Sequence, residues 1–123
     1  MPSIAIIGAS TDKNKFGNKA VRIFAAKGYQ VYPINPKEAV IEGHKAYASI
    51  LDVPEANLDM ISVYLPWSVT FKMVKDIAQK GCKELWLNPG AESEELVEEL
   101  ERHGLNVIQA CSIVGVGSSP SEA

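Results

Sequence analysis

Unbroken apolar runs alternate along this chain with stretches whose apolar residues recur every three or four positions. The first run, Ser3–Gly8, has the unrelieved hydrophobicity of a strand buried on both faces of a parallel sheet. Similar runs follow at Gln30–Ile34, Met60–Leu65, Glu84–Leu87 and Asn106–Ala110. Between them, helical spacing groups Val21, Phe24 and Ala25 on one face of Asn18–Lys27. It does the same for Val69, Met73, Val74 and Ile77 within Ser68–Lys80, and for Leu96, Val97 and Leu100 within Ser93–His103. The last of these helices is charged to suit its dipole, with Glu92, Glu94 and Glu95 at the start and Arg102 near the end.

One junction recurs three times. A basic residue, a glycine and two further residues lead into a strand at Lys27-Gly28-Tyr29-Gln30, Lys80-Gly81-Cys82-Lys83 and His103-Gly104-Leu105-Asn106. Glycine takes the left-handed turn that ends a helix, and the cation faces the free carbonyls. Helices alternating with apolar strands predict an α/β fold: a Rossmann-like, three-layer α/β/α domain with a mainly parallel sheet of five or six strands. Residues 38–58 fit this rhythm less well. Ala39–Ile41 and Lys45–Tyr47 read as short strands around a turn at Glu42-Gly43, and Ala48–Leu51 as a helical turn. The reading is a single domain over residues 1–114, followed by a flexible tail over residues 115–123 with no structural signal.

Composition fits this picture. With 123 residues, 46% hydrophobic and 22% charged, the chain can bury a core without staples. No apolar run approaches the roughly 20 residues that cross a bilayer, and Met1-Pro2-Ser3-Ile4 has no basic leader. Cys82 and Cys111 form no close pair, which fits a reducing compartment, so a cytoplasmic location is expected, without membrane association. The net charge of −3 argues against nucleic acid as a partner, but the charge is unevenly spread. Residues 1–37 hold six cations and one acid; the remainder holds six cations and fourteen acids. The acidic stretch Glu92–Glu101 reads as a solvated helix face, whereas the basic first third can face an anion.

Ligands of such sheets bind beyond the carboxyl ends of the strands, where strand order reverses. An order 3-2-1-4-5 sets the first strand beside Met60–Leu65. Four loops then converge: the one after Gly8, Asn35-Pro36-Lys37, Leu65-Pro66-Trp67 and Asn88-Pro89-Gly90. In the first loop, Gly8 and Ala9 let a phosphate approach the backbone, Ser10 offers a hydroxyl, and Gly17-Asn18 opens a helix whose free N–H groups attract an anion. A plain turn capped by Asn18 accounts for the same residues without a ligand. The loop does not match G-x-G-x-x-G, because too many residues separate its glycines. A nicotinamide dinucleotide site also needs an acid at the end of the second strand, and here that position reads Tyr32-Pro33-Ile34-Asn35-Pro36-Lys37. A nucleotide with an extra ribose phosphate would meet Asn35 and Lys37 instead. Leu65 and Pro66 offer an apolar edge for an adenine ring, and Pro66 also serves as a helix start. Trp67 covers the helix end or stacks on the ligand.

Taken in order, Ile6-Ile7-Gly8-Ala9-Ser10, Phe16-Gly17-Asn18-Lys19, Gly28-Tyr29-Gln30-Val31-Tyr32-Pro33-Ile34-Asn35-Pro36 and Leu85-Trp86-Leu87-Asn88-Pro89-Gly90 form a signature. From about Ser3 to Cys111 the chain resembles the small stand-alone CoA-binding proteins, whose fold is similar to the N-terminal domain of the succinyl-CoA synthetase alpha subunit. The resemblance implies a pocket for coenzyme A or an acyl-CoA. By position, Gly8, Ala9 and Ser10, with Gly17 and Asn18, would meet the diphosphate, and Lys15, Phe16 and Lys19 would belong to the same cofactor site. Asn35, Pro36 and Lys37 would lie near the ribose phosphate, Leu65 and Pro66 near the adenine, and Asn88, Pro89 and Gly90 along the pantetheine. The ligase's phosphorylated histidine belongs to a further domain outside the resemblance. The family's acid and base ahead of the last cysteine are replaced here by Gln109-Ala110.

Nothing in the sequence assembles a catalytic set: His44 reads as a loop residue, His103 as a helix cap and Cys82 as packing. Cys111, after the last strand on the ligand side, reads as a structural thiol or as a partner for the CoA thiol. No zinc spacing, nucleophile elbow or Walker loop is present. Two classes of function follow. One is a binding protein without chemistry of its own, able to pair with a second copy through an exposed helix or edge strand. The other is an enzyme, either an acyl-CoA-handling protein completed by a partner or an NAD(P)-linked oxidoreductase.

Overall fold

The computed structural model describes residues 1–123. In chain order its elements begin β1 (Ser3–Ile7), α1 (Phe16–Ala26), β2 (Gln30–Ile34), β3 (Val40–Ile41), β4 (His44–Lys45) and a 3-10 turn, Ile50–Asp52. They continue with β5 (Leu58–Val63), α2 (Trp67–Phe71), α3 (Val74–Lys80), β6 (Cys82–Leu87), α4 (Glu94–Arg102), β7 (Val107–Gln109), α5 (Ser112–Gly115) and a second 3-10 turn, Pro120–Glu122.

Five strands form one parallel sheet in the order β2-β1-β5-β6-β7. Alternation along the strands divides the core into two layers. Ala5, Ile7, Ile61, Val63, Leu85 and Leu87 face α3, α4 and the first 3-10 turn. Ile4, Ile6, Met60 and Trp86 face α1 and α5 on the other side. Both faces of β1 are therefore covered, and all five of its residues are buried. No helix is long and apolar enough to cross a membrane.

Register sets the level of the site. Ile34, Ile7, Val63 and Leu87 pair in one row across four strands, so the loops that follow them leave the sheet at the same height. β1 lies beside β5, as the order of strands required, but the third strand of that order is nearly absent. Its place is taken by the antiparallel β3–β4 hairpin and by a single parallel bridge between Ile34 and Tyr47. The Tyr47 N–H donates to the Pro33 carbonyl at 2.9 Å and the Asn35 N–H donates to the Tyr47 carbonyl at 3.0 Å. Pro33 offers that edge a carbonyl and no N–H, so the ladder cannot continue past it.

Other boundaries also differ from the sequence reading; β5, for example, spans Leu58–Val63 rather than Met60–Leu65. α1 begins at Phe16 rather than Asn18, because Lys15 takes the extended cap conformation. The helix expected over Ser68–Lys80 breaks at Lys72-Met73, whose N–H groups bond three residues back, to Val69 and Thr70, instead of four. Cys82 is the first residue of β6 rather than lying ahead of it. Ahead of residues 115–123, Ile113 is fully buried; the Ser118 N–H donates to its carbonyl at 3.0 Å, and the final 3-10 turn lies beside α1.

Candidate functional site

The row Ile34–Ile7–Val63–Leu87 ends at a cleft of about 1010 Å³, at the large end of the range for small-molecule sites. Its floor is the turn after β1. Gly8 has a φ of +90°, and a Cβ there would come within 3.1 Å of the Tyr64 backbone. Gly17 is held more tightly still, since a Cβ would stand 2.2 Å from the Gly8 carbonyl oxygen. The two glycines thus let the first turn of α1 dock against the end of β1. The N–H groups of Asn18 and Lys19 both donate to the Lys15 carbonyl, whereas those of Phe16 and Gly17 have no partner and belong to cleft-lining residues. No acid occupies this first turn, so the positive end of the helix dipole is uncompensated.

Asparagine side chains hold the surrounding loops. Asn18, fully buried, donates to the Ser10 carbonyl at 2.9 Å and to the Glu42 carboxylate at 3.0 Å, and accepts from Arg22 Nε at 2.8 Å. The β3–β4 hairpin is thereby tied to the loop after β1. Asn35 donates to the Ala9 carbonyl at 2.9 Å and accepts from the Lys37 N–H at 2.8 Å. Asn88 donates to Ser62 Oγ and to the Val63 carbonyl, both at 2.8 Å, and accepts from the Ser112 N–H at 2.9 Å. Ser112 Oγ lies 2.7 Å from Ser62 Oγ and 3.2 Å from the Tyr64 hydroxyl. Burial pushes the Tyr64 phenol above its ordinary value.

The cleft gathers Gly8, Ala9, Ser10, Lys15, Phe16 and Gly17 from the first loop and helix. Asn35 and Pro36 join from the second loop, Leu65 and Pro66 from the third, and Pro89 and Gly90 from the fourth. Four other residues of the expected set lie outside it. Asn18 and Asn88 spend their side chains on the scaffold just described. Lys19 places its Nζ 5.3 Å from the centre of the Phe16 ring, and Lys37 is exposed. The sequence reading missed Asn14, Ala48, Ser49 and three residues from the helical region, Val69, Met73 and Asp76. Those three are spaced four and three apart, a single helical face, but its apolar members were read as core.

The remaining reactive side chains are scattered. His103 ends α4 with Nε2 4.0 Å from Glu99, Cys111 precedes α5, and no three His, Cys, Asp or Glu side chains converge. Burial pushes the Cys82 thiol up to about 12.

An open parallel sheet, a glycine-lined turn packed on a helix start, and a cleft spanning the loops of adjacent strands define a Rossmann-like domain of the nucleotide-binding type. The chain belongs to the CoA-binding domain family: the family model described as "CoA binding domain" matches residues 2–116. It is 31% identical over 115 residues to the ADP-forming acetate–CoA ligase I of Archaeoglobus fulgidus, covering 85% of this chain and 17% of that protein. It is 28% identical over 136 residues to the alpha subunit of ADP-forming acetate–CoA ligase I of Pyrococcus furiosus, covering 98% of this chain and 29% of the subunit. The chain therefore spans less than a third of either ligase polypeptide. Among solved structures, a conserved hypothetical protein from Pyrococcus furiosus superposes with a TM-score of 0.84 at 36% identity, covering 94% of this chain and 99% of that one.

Proposed function

We propose that this protein binds coenzyme A or an acyl-CoA, holding the 3′-phospho-ADP moiety at the carboxyl edge of the sheet, and performs no chemistry of its own. The observation that carries this reading is the pair of unpartnered N–H groups at Phe16 and Gly17, two residues that line the cleft with Gly8 and Lys15. They suit a diphosphate. From there a nucleotide reaches the apolar surface of Leu65 and Pro66 on one side, and the pantetheine leaves past Pro89 and Gly90 on the other. Lys37, one residue beyond Pro36 and free in solvent, is the cation we assign to the ribose 3′-phosphate.

A thermal-shift panel of coenzyme A, acetyl-CoA, NAD, NADP and ATP tests the proposal. A ligand at 100 times its dissociation constant stabilises by about 2.7 kcal/mol, a shift of several degrees in a domain this small. Coenzyme A and acetyl-CoA should produce it; stabilisation by NAD alone overturns the reading. Replacement Lys37→Ala should weaken coenzyme A more than its 3′-dephospho form, and equal weakening removes Lys37 from that role. The match to one segment of the acetate–CoA ligases favours a second reading, a module whose catalytic residues come from a partner chain. Acyl-CoA turnover by the isolated chain would contradict both.

A further inference from the structure

One side chain runs against the charge of the cleft it lines. The phosphate-facing end has Lys15, two free amides and no acid, yet Asp76 of α3 opens into the same cleft. Asp76 is half-buried and makes neither an ion pair nor a side-chain hydrogen bond. A carboxylate there repels any phosphate brought near it, so the part of a ligand that it meets must carry donors.

Its surroundings narrow the choice. Asp76 lies on the face of the sheet opposite α1, and so away from the phosphate-facing turn. Met73, one helical turn before it, and Ile34, at the end of β2, supply apolar walls. Ala48 and Ser49, just ahead of the 3-10 turn that packs on α3, line the same cleft. Ser49 Oγ accepts from the Leu51 N–H at 3.2 Å, which leaves its own hydrogen free to donate. The lining contributed by these segments therefore combines apolar side chains with one strong acceptor and one hydroxyl. A purine ring has apolar faces and a polar edge, and on adenine that edge carries a 6-amino donor. We infer that Asp76 accepts a hydrogen bond from the 6-amino group of the adenine ring and so sets the base preference of the cleft. This rests on the nucleotide reading proposed above.

Asp76 also sits in the first turn of α3, where a carboxylate favours the helix dipole. That effect acts through the helix and is blind to the base, as a contact with ribose hydroxyls would be.

Titration calorimetry with coenzyme A and its 6-oxo derivative, in which hypoxanthine replaces adenine, separates these roles. The native protein should prefer coenzyme A by roughly tenfold or more, as expected for a hydrogen bond to a charged acceptor. Asp76→Ala should weaken coenzyme A by a similar factor and change the 6-oxo derivative by less than about threefold. Asp76→Asn keeps the side-chain volume, so it remains informative if the alanine variant melts early. Its amide can face either edge, so the preference should largely disappear. Equal affinity of the native protein for both ligands, or equal weakening of both by the substitutions, overturns the assignment of Asp76 and leaves the CoA reading standing. Failure of the native protein to bind either ligand overturns both.

Discussion

At Gly17 the chain has no room for even a methyl group, because the Gly8 carbonyl oxygen would lie 2.2 Å from it. Substitution Gly17→Ala must push α1 away from the end of β1. The expected loss is about 1–3 kcal/mol in urea unfolding, the usual cost of overpacking, together with weaker binding at the cleft. Thr70 presents the opposite case. It is fully buried, and its hydroxyl is the one buried side-chain oxygen or nitrogen without a partner. Thr70→Val keeps the shape and removes the unsatisfied group, so stability should be unchanged or rise by up to about 1 kcal/mol in the same measurement. The Cys82 thiol, raised by burial and then by Glu84 to about 12, should resist alkylation at neutral pH in the native state.

Polar side chains join the elements at the site, on top of the apolar packing beneath it. Asn88, at the end of β6, joins β5 to the start of α5 through Ser62, the Val63 carbonyl and the Ser112 N–H. Its replacement by alanine strands the buried Ser112 N–H, while the Val63 carbonyl keeps the backbone N–H of residue 88. Asn88→Ala should cost about 1–3 kcal/mol in denaturant unfolding, and hydrogen exchange should show residues 112–118 opening first. Gly115 makes the other half of this junction, since a Cβ there would lie 2.5 Å from Cη2 of Trp86. The hairpin is tied down in a similar way. Glu42, with φ of +49°, reaches Asn18, and Asn18 in turn holds the Ser10 carbonyl.

Over the whole molecule, the amino-terminal edge of the sheet carries the clearest pH dependence. Asp59 receives the Ser3 N–H at 2.8 Å and stands 3.0 Å from Lys83 Nζ, so one carboxylate links β1, β5 and β6. The Ser3 N–H first, and Lys83 second, hold this carboxyl below its ordinary range. Because its folded value lies under the unfolded one, the unfolded chain takes up the proton more readily. The contribution is fully present above about pH 4 and is lost as pH falls through the folded value. Urea unfolding between about pH 2 and pH 6 should show stability declining with acid, and Asp59→Asn should flatten that decline. The cleft lies at the opposite edge, so ligand affinity should be unaffected by this substitution.

The amino-acid order alone determined the strand and helix rhythm, because burial on both faces of a sheet demands runs such as Ser3–Ile7 and burial on one face of a helix demands spacing such as Leu96–Leu100. It also marked the loops that meet at the cleft, because glycine and proline are legible as turn residues wherever they stand. Only the tertiary structure decided which side chains those loops could spare. Asn18 and Asn88 look available in sequence but are consumed by carbonyls and N–H groups more than twenty positions away or across a turn. Asp76 looks like one more surface acid until the break at Lys72-Met73 starts α3 and sets it at the cleft. The third strand shrank to Tyr47 because Pro33 lacks an N–H toward that edge, a consequence that requires knowing which way the edge faces. Periodicity records burial, which is local to an element, whereas partners for polar groups are chosen among elements after they pack.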